Sequence, residues 1–173
     1  MLYLFIGFFF LFLEFPIPVG NGTLNLMPAC VGGALLLLGI GRLSDGAPRF
    51  LRMRLSSLVL IVLSLARTVT SLSGMQTGVW PTLAQALEIL LALHLAYEVT
   101  EYVKAKEKYV SRPLGGKDLS SAWFLLTIGN LLSFFSVYLE SMALLCLVLQ
   151  LLSIVWYQMA LWRAYKKISG VKK

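Results

Sequence analysis

All but one of the fifteen Lys and Arg residues fall in three places, Arg42–Arg54, Lys104–Lys117 and Arg163–Lys173. Long apolar stretches separate these clusters, and the far ends of the stretches carry no Lys or Arg. Such segregation marks a chain that crosses a lipid bilayer repeatedly, because basic segments stay on the cytoplasmic side. Composition agrees: 58% of the residues are hydrophobic, and Leu58–Ala66 and Leu144–Trp156 are apolar on nearly every side. A soluble helix of that length would show a polar stripe.

The net charge of +7 raises the question of nucleic acid. The basic residues instead flank apolar spans, and no recognised nucleic-acid motif accompanies them. Clusters beside a membrane set orientation and meet anionic lipid. The expected surroundings are therefore the lipid bilayer, with anionic lipid at the basic segments, and not nucleic acid. Cys30 and Cys146 lie inside apolar runs without CxxC or Cys/His spacing, which predicts two free thiols. Leu2–Leu13 has no basic flank and no small-residue cleavage site, so a retained first helix is expected rather than a cleaved signal peptide.

Six apolar segments predict an all-α, polytopic integral membrane helix bundle forming one domain over residues 1–173. The spans are read at about 2–15, 26–41, 55–73, 82–103, 119–139 and 141–162. Their boundaries alternate between basic and uncharged, which predicts both termini in the cytoplasm. Trp80, Tyr102, Tyr109, Trp123, Trp162 and Tyr165 fall at the predicted interfaces, where amphipathic rings belong. The first two segments are short for a core of about 30 Å. Either the first helix continues through a kink at Pro16 and Pro18, or the bilayer thins there, or the pair dips in without crossing. Pro16–Asn25 is expected to be a Pro/Gly loop at the outer surface, or a cavity lining if it lies deeper. Glu140 marks a tight outer hairpin between the last two segments. Three spans followed by three would suit an inverted repeat, but no internal similarity supports one.

Ionisable residues within spans are costly and direct attention to function or to pairing. Arg67 stands outside the basic clusters, and Glu88 is its natural partner. In an antiparallel hairpin centred between Gln76 and Val79 the two lie at equal depth. The alternative is that Arg67 snorkels outward while Glu88 faces water separately. His94, Glu98 and Glu101 follow at i, i+4 and i+7 on one helix face. An imidazole and two carboxylates so placed suit a proton or cation pathway, a divalent metal, or ordinary interfacial pairing with Lys104 and its neighbours. There is no HExxH motif, and no metal or cofactor is assigned.

Further polar stripes are Ser57, Ser64 and Ser71 with Thr68 beside them; Thr127, Asn130, Ser133 and Ser136; and Gln150, Ser153 and Gln158. With the small residues Ala29, Gly32, Gly33, Gly39 and Gly41, they suit close helix packing and hydrogen bonds across helices. Convergence on one void would instead make a polar pathway, with Asn130 among its members. Asn21-Gly22-Thr23 matches a glycosylation pattern but sits too near the membrane to be used.

Thr23-Leu-Asn-Leu-Met-Pro-Ala-Cys-Val-Gly-Gly-Ala-Leu-Leu-Leu-Leu-Gly-Ile-Gly-Arg-Leu-Ser44 resembles the opening of small, uncharacterised multi-span membrane proteins of Gram-positive bacteria. The shared pattern is an Asn–apolar–apolar–Pro turn feeding a Gly-containing helix, carried here by Asn25, Pro28, Gly32 and Gly39. The resemblance implies a bacterial plasma membrane and assigns no activity. Two functional classes follow from the residues. One is an accessory membrane subunit that acts through helix contacts with a membrane partner or with copies of itself. The other is an autonomous carrier or channel for a small solute or cation. An enzyme ranks last, since no nucleophile–base pair or metal set is present.

Overall fold

Pro16 and Pro18 set the first break in the chain. Neither has a backbone N–H to give a helix, and each disfavours helical dihedrals in the residue before it. In the computed structural model, helix α1 covers Leu2–Phe12 and stops short of both prolines. The described residues of the Pro/Gly stretch, 16–19 and 22–25, are strand rather than kinked helix or irregular loop. β1 (Pro16–Val19) and β2 (Gly22–Asn25) pair antiparallel, with Ile17 opposite Leu24 and Val19 opposite Gly22. A two-stranded ribbon has two free edges, so proline's missing donor can point away from the ladder.

The structure describes residues 2–13, 16–19, 22–25, 29–43, 48–72, 79–136 and 142–171. Asn21, Pro28, Gln76 and Glu140, singled out in the sequence, lie outside them, and with Glu140 so does the expected outer hairpin.

Among the described residues five further helices follow: α2 (Ala29–Leu43), α3 (Pro48–Leu72), α4 (Val79–Val110), α5 (Gly116–Ser136) and α6 (Ala143–Val171). Three of them, α3, α4 and α6, are long and apolar enough to cross a membrane. At about 1.5 Å per residue, α1 and α2 reach only about 16 and 22 Å. The basic clusters prove to be largely helical. Arg49, Arg52 and Arg54 occupy the opening turns of α3, Lys104–Lys108 close α4, and Arg163–Lys167 lie within α6. Arg and Lys are good helix formers, and Pro48 suits a first helical position. Each of these three helices therefore runs past the apolar segment that signalled it.

The chain divides into two compact units, Met1–Leu95 and Ala96–Lys173. In the first, α2 packs against both α1 and α3, and β2 lies against α3. Gly7 of α1 meets Gly32 of α2 so closely that a Cβ on either would fall within 2.9 Å of the other's carbonyl oxygen. Two facing glycines let the backbones touch, the arrangement that small residues favour between membrane helices. Leu36 lies beside Gly7 and Leu4 beside Gly39 across the same contact, and both leucines are fully buried.

In the second unit α5 packs along α6, with Leu119, Leu126, Leu161 and Ala164 buried. A short turn, 111–115, leads from α4 to α5. Ser111 and Gly115 both take positive φ there, 53° and 99°. The Gly116 amide at the start of α5 donates to Glu107 Oε2 at 3.0 Å. That bond satisfies one of the free N–H groups that every helix start presents.

Candidate functional site

Arg67 and Glu88 come together in the first unit. Arg67 Nη1 donates to Glu88 Oε2 at 2.6 Å. The Glu88 side chain is 7% exposed and that of Arg67 27%. A charge-assisted bond of this length, with Glu88 nearly buried, links α3 to α4. The hydroxyls nearby turn back on their own helix: Thr68 Oγ1 donates to the Ser64 carbonyl and Thr70 Oγ1 to that of Arg67. Such i−3 and i−4 bonds satisfy a hydroxyl in apolar surroundings.

His94, Glu98 and Glu101 end in three different environments although they share a helix face by spacing. His94 is exposed, Glu98 is 5% exposed, and Glu101 Oε1 accepts from Lys104 Nζ at 2.9 Å. That last pair is part-exposed and of the i,i+3 kind, worth under about 1 kcal/mol. Among the described residues, no three His, Cys, Asp or Glu side chains gather as a metal site would require.

Asn130 joins α5 to α6 in the second unit. Its Nδ2 donates to the Leu126 carbonyl at 2.8 Å, and its Oδ1 accepts from Gln150 Nε2 of α6 at 3.4 Å. One turn along α6, Ser153 Oγ donates to the Gln150 carbonyl at 2.7 Å. Gly129 lies against this pair; a Cβ there would fall 3.2 Å from the Gln150 Cα and collide with the Ser153 hydroxyl. The polar stripes of α5 and α6 therefore meet each other across a close contact.

The sequence missed Tyr157. Its side chain is fully buried, and its hydroxyl donates to the Ala96 carbonyl of α4 at 3.1 Å. Thr100 Oγ1 donates to the same carbonyl at 2.8 Å. A tyrosine between Trp156 and Gln158 reads as one more interfacial ring, and no local signal names an acceptor 61 residues away. Gln158 beside it is 6% exposed, and neither atom of its amide has a hydrogen-bond partner among the described residues. Cys30 and Cys146 are free thiols.

The chain matches no family model, no curated protein and no solved structure.

Proposed function

We propose that the chain is a multi-pass membrane subunit of a bacterial plasma membrane that acts through helix contacts with a membrane partner. Six crossings, both termini in the cytoplasm and anionic lipid at the basic helix ends complete the proposal. Its orientation draws support from charge: Arg42, Arg49, Lys104, Lys117 and Arg163 all lie in the helix halves that six crossings would bring to one side. The observation that carries the functional reading is the use made of intramembrane polar groups. Arg67 with Glu88, Asn130 with Gln150, and Tyr157 with the Ala96 carbonyl each join two helices of the same unit. Polar side chains so engaged hold a small bundle together and leave its outer faces for association.

A carrier or channel for a small solute or cation is the second reading, favoured by two nearly buried carboxylates, Glu88 and Glu98, within one long helix. Affinity purification from native membranes in mild detergent, followed by mass spectrometry, separates the two. A stoichiometric membrane protein or a defined homo-oligomer supports the subunit reading. A monomer whose flux in vesicles is abolished by Glu88→Gln or Glu98→Gln, with the fold retained, replaces it with the carrier. Orientation is tested apart from function: a cysteine at Gln76 labelled only from the cytoplasmic side would overturn it.

A further inference from the structure

Polar side chains within a membrane span turn to the bundle interior or pair with one another. His94 is exposed on α4 and has no hydrogen bond or ion pair among the described residues. Val79 at the helix start lies about 22 Å away along the axis and Lys104 about 15 Å in the other direction, so an imidazole is too short to reach either interface.

The face that carries His94 is ordered. Trp80, Leu83, Leu87 and Leu90 precede it at alternating three- and four-residue steps, and they are 53, 53, 49 and 57% exposed. That spacing is the apolar seam of a left-handed helix pair crossing near 20°, and one polar residue in such a seam fixes its register.

We propose that this face of α4 is the interface of a homodimer. The two α4 helices run parallel about a two-fold axis along the membrane normal, and His94 hydrogen-bonds to His94 of the partner subunit. The inference rests on the reading of α4 as a span, and it names the partner of the proposed membrane subunit as a second copy. Chemistry selects that occupant. In a two-fold interface of parallel helices each residue meets its own counterpart at the same depth. A neutral imidazole has one N–H donor and one acceptor nitrogen, so two copies satisfy each other, whereas two carboxylates or two ammonium groups would repel.

The test uses the full chain in native membranes, in a Cys30→Ser/Cys146→Ala background. Leu83→Cys, Leu87→Cys and Leu90→Cys are oxidised in turn, with Val62→Cys of α3, 67% exposed, as the control. The expected product at the α4 positions is a disulfide-linked species of twice 19.2 kDa, with Val62→Cys remaining monomeric. Monomer at all three α4 positions, equal cross-linking at Val62→Cys, or an adduct with a different protein would overturn the homodimer. An impermeant maleimide separates this failure from that of the span. Labelling of Leu90→Cys from water overturns the span and the dimer together, whereas a shielded cysteine without cross-link overturns the dimer alone. His94→Leu should weaken dimerisation in mild detergent about 3- to 30-fold, the usual range for one hydrogen bond between membrane helices, and His94→Asn should retain it. Equal dimerisation of His94→Leu and the native chain would remove His94 from the interface.

Discussion

Arg67 of α3 and Glu88 of α4 are joined by a 2.6 Å charge-assisted hydrogen bond across a separation of 21 residues. Neither charge suits apolar surroundings, and each is the other's compensation. Removing Arg67 takes the guanidinium away from the nearly buried Glu88 carboxylate, and breaking a buried pair from one side typically costs about 3–5 kcal/mol. Removing both leaves nothing to compensate. Arg67→Ala should therefore lower thermal stability in detergent more than Arg67→Ala/Glu88→Gln does. Equal losses in the two variants would show that the pair does not stabilise the fold.

Gly129 permits the contact between α5 and α6. Gly129→Ala places its new methyl against the Ser153 hydroxyl and close to the Gln150 backbone, so the helices must separate. Overpacking of this kind costs about 1–3 kcal/mol. Adding Ser153→Gly removes the nearer obstacle and should restore part of the loss in a thermal melt. No recovery in the double variant would mean that the Gln150 backbone alone limits the approach.

Tyr157 combines a large buried ring with a hydrogen bond from its hydroxyl to the Ala96 carbonyl. Tyr157→Phe keeps the ring, and the Ala96 carbonyl keeps its bond from Thr100, so the expected loss is about 0.5–1.5 kcal/mol. Tyr157→Ala empties the site and should cost about 3–5 kcal/mol. Thermal melts of the two variants distinguish ring packing from the hydroxyl. Similar losses would make the hydrogen bond the dominant part.

Among the described residues, none offers the buried amide of Gln158 a hydrogen bond. Leaving such a group unsatisfied costs about 1–3 kcal/mol, so Gln158→Met, of similar length and volume, should raise thermal stability by a similar amount. A lower melting temperature for that variant would show that the amide has a partner in the folded protein.

Helix existence was readable because apolar length and charge segregation are one-dimensional properties. Each of the six apolar segments corresponds to a helix, but the boundaries shifted. The expected third span at 55–73 became Pro48–Leu72, and the expected fourth at 82–103 became Val79–Val110. Apolar runs locate where lipid could lie, whereas helices continue wherever backbone bonding remains favourable, through Arg52 and Arg54 or through Lys104–Lys108. The hairpin at Pro16–Asn25 was hidden for a different reason. Strands of four residues carry too little periodicity to stand out from a Pro/Gly stretch.

Among the candidate residues, equal depth in a hairpin made the Arg67–Glu88 pairing legible from spacing alone. The face shared by His94, Glu98 and Glu101 was legible too, but sharing a face on one helix does not decide what each side chain meets. Burial depends on which other helix arrives, and that differs from turn to turn along α4.

From its sequence alone, this chain's apolar helical character and its segregated charge were determined, because both follow from which residues neighbour one another along the chain. Tertiary structure alone decided that Gly7 faces Gly32, that Tyr157 reaches the Ala96 carbonyl and that His94 faces outward. Those relations arise when helices distant in sequence pack at a given rotation. A rotation of about 100° about the axis, one residue's worth, would turn an interior group to the surface.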